Sequence, residues 1–103
     1  MAKDVSEEFQ FYQQQLQTVL IQKESLKIEN FEIENALEEL EKSDQKEAFK
    51  IVGNVMIKKN LEDLKKELKE KKEDIELRIK SLEKTEERIL NKLKELQNSV
   101  KGG

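Results

Sequence analysis

Two long helices folded back on each other as an antiparallel coiled coil, with one β-hairpin at the midpoint, make up the fold class this sequence predicts. Three observations predict it. Along the first part of the chain, apolar residues recur at alternating intervals of four and three. Along the last part, Leu61, Leu68, Ile75, Leu82, Ile89 and Leu96 recur every seven residues. Between them, "AFKIVGNVMIKKN" (residues 48–60) holds no acidic residue and gathers β-branched side chains around a glycine.

Composition points the same way. Of 103 residues, 35% are hydrophobic and 42% charged, too little apolar surface to enclose a sphere of that length. The absence of proline leaves long helices unobstructed. The 19 Glu and 18 Lys residues are good helix formers. Such a composition also suits a disordered chain, and the periodicity decides for helix.

The first helix is expected over about residues 4–43. Its apolar positions are Val5, Phe9, Tyr12, Leu16, Val19, Leu26, Ile33, Leu37 and Leu40, with Lys23 and Asn30 filling two gaps. Phe9 and Leu16 are heptad a positions, Tyr12 and Val19 d positions. Asp4 or Ser6 suits the start and Ser43-Asp44 the end. Lys23 and Asn30, at a positions, are read as fixing register and permitting flexing.

The second helix is expected over about 60–99. Its d positions are uniformly apolar, but its a positions are mixed: Lys65, Lys72, Ile79, Glu86, Leu93 and Val100. Glu62/Lys66, Glu67/Lys71 and Glu76/Lys80 stand four apart and are expected to pair along the helix. Folding back, the helices should set Leu37 near Leu68, Leu16 near Ile89, Phe9 near Leu96 and Val5 near Val100. That register puts a against d and centres on Gly53. The whole of 1–103 reads as one domain.

At the midpoint, β-branched residues flank Gly53-Asn54, a two-residue loop with glycine first. That favours a hairpin over about 48–58 with a type II′ turn. Two isolated strands are barely stable in water and leave two open edges and an apolar face. The hairpin is therefore expected to be completed by other chains through Phe49, Ile51, Val52, Gly53, Val55, Met56 and Ile57.

Several functions are disfavoured. With no His and no Cys, the common zinc arrangements, thiol chemistry and His-based proton transfer are absent, and no metal or cofactor is expected. There is no Gly-rich phosphate loop, and the carboxylates fall in solvated helical patterns, so an enzyme is not expected. The net charge of −3, with signs interleaved, disfavours a nucleic-acid face. The nearest basic stripe, "KKELKEKK" at 65–72, is broken by glutamates. No apolar run approaches a membrane span, "MAKDVSEEF" lacks a signal-peptide core, and a cysteine-free chain fits a reducing cytosol.

The sequence resembles the prefoldin family, in its β-type subunits, over nearly its whole length. The resemblance rests on "QQQLQ" at Gln13–Gln17, "ALEEL" at Ala36–Leu40 and above all "KIVGNVMIK" at Lys50–Lys58. A single glycine-centred hairpin at the midpoint of a helical hairpin is the specific part, since an α-type subunit would carry two. The chain departs from many β-type relatives in its short N-terminal lead. The resemblance implies a cytoplasmic hexamer of two α-type and four β-type subunits. Their hairpins would form an intersubunit double β-barrel from which coiled coils hang. It also implies ATP-independent capture of non-native polypeptides and their transfer to a group II chaperonin.

Unfolded clients offer apolar side chains, and the helix ends remote from the hairpin offer partners for them. These are Val5, Phe9, Phe11, Tyr12, Leu16, Ile89, Leu90, Leu93, Leu96 and Val100, the expected client-binding set. Phe9, Tyr12, Leu93 and Leu96 also fit as plugs of the seam. Phe11, Ile21, Ile28 and Phe31 fall at outward heptad positions, as a second contact strip. The main rival is a plain structural coiled-coil tether, which would need no hairpin.

Overall fold

The computed structural model describes residues 5–102, with side chains described as far as Ser99. The order is helix α1 (Val5–Lys42), strands β1 (Glu47–Val52) and β2 (Val55–Asn60), and helix α2 (Leu61–Gly102). The fold class is the one the periodicity predicts. Asp4, a candidate cap for α1, lies outside the described residues, and Ser6 lies within the helix. α1 stops where the Ser43 amide donates to the Leu40 carbonyl at 3.2 Å. The Ser43 hydroxyl then accepts from the Gln45 amide at 3.1 Å, turning the chain toward β1.

The strands pair antiparallel from Glu47↔Asn60 to Val52↔Val55. The hairpin thus runs further than the expected 48–58, because Ala48 and Glu47 find partners in Lys59 and Asn60. Gly53 has φ +60°, while no non-glycine residue among the described ones has a positive φ. A left-handed first loop residue followed by an ordinary second one is the II′ pattern.

Asn60 ends β2 and caps α2. Its Oδ1 accepts from the amides of Glu62 (2.9 Å) and Asp63 (3.4 Å), and those two acidic residues also suit the helix dipole. α2 therefore starts at Leu61. It continues past the expected end at 99 to Gly102, since nothing before the terminal glycines breaks it.

The chain divides into two compact units: residues up to Lys27 with those from Arg78 onward, and Ile28–Leu77 with the hairpin. In the first, Val19, Ile89 and Leu96 are buried between antiparallel helix segments. Ser25 and Leu26 of α1 border the same groove as Ser81 and Leu82 of α2. In the second, Ile33, Leu61, Leu64 and Ile75 are buried. Its cross-helix ion pairs run antiparallel: Glu29–Lys71 (3.3 Å), Glu34–Lys72 (3.0 Å) and Glu41–Lys65 (3.8 Å).

Every buried residue is a seam position except Leu64, which lies one turn into α2 beside Leu61. The three ion pairs expected along α2 are not the ones formed. Glu62 pairs with Lys65, Glu76 with Lys72, and Glu67 with Lys50 and Lys59. Glu67 is taken by lysines of the hairpin, while Glu62 and Glu76 each take a different lysine of α2 within one turn. No helix among the described residues is long and apolar enough to cross a membrane.

Candidate functional site

The hairpin is the most unusual surface of the molecule. Side chains alternate between its faces, so the register assigns them. One face carries Glu47, Phe49, Ile51, Met56, Lys58 and Asn60. The other carries Ala48, Lys50, Val52, Val55, Ile57 and Lys59. Near the turn both faces are apolar and open: the six large apolar residues range from 41% exposed at Ile57 to 70% at Ile51. A strand apolar on both faces is the pattern of a sheet covered on both sides, and none of the described residues covers it. Among the described residues both outer edges also lack a neighbouring strand, since the sheet there has two strands.

The base of the hairpin is built differently. Lys58 pairs with Glu47 across the strands at 2.7 Å on the first face. On the second face, Lys50 from β1 and Lys59 from β2 both donate to the carboxylate of Glu67 in α2. Those two hydrogen bonds, that of Lys50 foremost, hold the Glu67 carboxyl at about 2, well below the ordinary carboxylate range. The Leu61 amide donates to the Lys46 carbonyl at 2.8 Å and ties the strand entry to the helix start.

The seam contains charge as well as apolar side chains. Lys23 and Glu86, both a positions, meet across the first unit at 2.7 Å, with side chains only 15% and 19% exposed. The hydrogen bond to Glu86 is the main cause that raises the Lys23 pKa. Lys72 lies between Glu76 and Glu34, whose hydrogen bonds raise its pKa too, Glu76 more than Glu34. In the second unit the Oδ1 of Asn30, another a position, is buried without a partner. Lys23 thus has a named partner, which sequence alone left open.

The family model described as "Prefoldin subunit" matches residues 3–102. This chain belongs to the prefoldin family. It is 42% identical over 94 residues to the prefoldin subunit beta of Archaeoglobus fulgidus, covering 90% of this chain and 81% of that one. It is 41% identical over 90 residues to that of Pyrococcus furiosus, covering 86% and 77%. The crystal structure of the prefoldin beta subunit from Thermococcus strain KS-1 superposes with a TM-score of 0.86 at 35% identity. It covers 95% of this chain and 87% of that one.

This prefoldin chain distributes its expected client-binding residues unevenly. Ile89 and Leu96 are buried, and Val5, Phe9, Tyr12, Leu16 and Leu93 are half-buried in the seam. Phe11 (47%) and Leu90 (49%) stand open. The Phe11 ring lies edge-on to Tyr12 at 5.3 Å, and Phe11 and Ile89 line one groove. The side chain of Val100 lies outside the described residues. On the outward positions, Ile21 of the first unit is exposed, as are Ile28 and Phe31 of the second.

Sequence reasoning missed the partners of Glu67, the burial of Leu64 and the two-faced character of the hairpin. The alternation of Phe49 and Ile51 with Lys50 and Val52 was visible. That the second face turns apolar toward the loop follows only from pairing Val52 with Val55.

Proposed function

We propose that this chain is a β-type subunit of an ATP-independent chaperone that holds non-native polypeptides. The observation that carries the proposal is the hairpin: apolar on both faces, open at both edges, and uncovered within the chain. Hairpins from several subunits, two α-type and four β-type, would complete one another as a double β-barrel through Phe49, Ile51, Val52, Val55, Met56 and Ile57, with Gly53 at the turn. The beta-subunit relatives at about 40% identity support the same assignment.

The helices would then present the client surface near their free ends. Phe11 and Leu90 meet a client directly, and the half-buried Val5, Phe9, Tyr12, Leu16 and Leu93 join as the helix ends fray. Ile89 and Leu96 back that surface. Client release to a group II chaperonin in the cytoplasm completes the role. No catalytic step is involved.

The test is light scattering of an aggregating unfolded protein, using the chain assembled with an α-type subunit. Phe11→Ser with Leu90→Ser leaves the seam intact and should reduce protection while solution mass stays unchanged. Deleting residues 1–11 and 92–103 should reduce it further. Full protection by the trimmed, still assembled complex would remove the client surface from these ends and shift attention to Ile21, Ile28 and Phe31.

A further inference from the structure

We propose that Glu67 is a positioning residue that fixes the hairpin's orientation on α2, and so its readiness to assemble, by holding one lysine from each strand. The proposal rests on the reading that the hairpin is the assembly element.

β2 passes directly into α2 at Asn60–Leu61, so a single junction joins the hairpin to the helix. The Leu61–Lys46 hydrogen bond secures the entry strand at that same junction. Glu67 lies further along α2, away from the junction. A contact remote from a pivot limits rotation far more than one at the pivot. Lys50 and Lys59 sit diagonally on adjacent strands and point from the same face. One carboxylate gripping both therefore fixes swing and roll together, which a contact to one strand would not do.

All three side chains are only partly exposed, at 33–38%. Charge-assisted bonds in such a setting are stronger than neutral ones and are weakened by salt. A surface that must meet several neighbours at once loses affinity when its orientation is unfixed, because binding must then order it. The clamp leaves Val52, Val55 and Ile57 on the same face uncovered. It holds the hairpin without occupying the apolar part.

The experiment compares the full chain with Glu67→Gln, each mixed with an α-type prefoldin subunit, by solution mass over a dilution series. Glu67→Gln keeps the shape but accepts more weakly, and should raise the concentration of half-dissociation by about tenfold. Helicity should be unchanged. Raising salt should weaken the wild-type complex more than the variant. Reversing all three charges, Glu67→Lys with Lys50→Glu and Lys59→Glu, should restore assembly, which a merely space-filling Glu67 would not allow. Wild-type assembly by Glu67→Gln overturns the proposal, as does failure of the triple reversal, or loss of helicity in Glu67→Gln. Val55→Asp separates the two readings. If it dissociates the complex while Glu67→Gln does not, only the clamp is refuted; if neither does, the assembly reading falls as well.

Discussion

Replacing Val55 by aspartate tests the assembly surface most directly. Val55 lies on the hairpin face it shares with Val52 and Ile57 and is 58% exposed. Burying a whole valine side chain yields about 1.5–3 kcal/mol, so covering its open part yields roughly 1–2 kcal/mol. Val55→Asp forfeits that gain and forces a carboxylate into an apolar interface, which costs several kcal/mol more when unpaired. A loss of roughly 4–6 kcal/mol per chain corresponds to at least about a thousandfold weaker association. The chain itself should stay folded, because Val55 contributes little to its core. By contrast Ile75→Ala, at one of the buried seam positions, should destabilise the helix pair by about 2–5 kcal/mol. Sedimentation velocity with the α-type partner reads assembly, and far-UV circular dichroism reads the helices. The expected outcome for Val55→Asp is a small, fully helical species. A variant that sediments like wild type at micromolar concentration would show that this face is not buried between subunits.

Gly53→Val should weaken assembly without unfolding the helices. A Cβ at Gly53 meets nothing within 4 Å, so only the +60° backbone is strained, by about 1–2 kcal/mol; Gly53→Asn should recover part of the loss in the same dilution assay. In the seam, Lys23→Met and Glu86→Met should each lower the melting temperature, since each strands one charge. The double variant should melt at or above wild type, and additive losses would refute the pairing. Acid should loosen the hairpin through Glu67. Its carboxyl is depressed from about 4.3 in the unfolded chain, so its contribution is complete above that pH and is lost as pH falls through about 2. Hydrogen exchange of hairpin amides should show that acid step in the wild type and not in Glu67→Gln. Lys23 and Lys72 act in the opposite sense. Their raised pKa values mean a contribution complete below about 10.4 and lost as pH rises through the folded value, which alkaline melting against wild type should expose with Glu86→Gln for Lys23 and Glu76→Gln for Lys72.

The helices, their pairing and the turn were legible in the sequence because each depends on local spacing. Heptad recurrence fixes which side of a helix is apolar, and glycine before asparagine between β-branched runs selects a hairpin with one left-handed residue. Val19, Ile33, Leu61, Ile75, Ile89 and Leu96 were all placed in the core by that spacing, and the structure buries them. Leu64 escaped, since it lies off the seam where the helix begins. The charged a positions were visible as departures from the pattern, yet their partners were not. A lysine reaches any of several carboxylates within a turn or across a seam, and only distance in three dimensions makes Lys23 choose Glu86 and gives Glu67 to Lys50 and Lys59. The same limit applies to the client-binding residues. Sequence assembled Phe9, Phe11, Leu90 and Leu96 as one apolar group, whereas packing buried Leu96, half-buried Phe9 and left Phe11 and Leu90 open. Periodicity states which residues can face a partner helix; the tertiary structure decides which do, because burial depends on what the other helix places opposite.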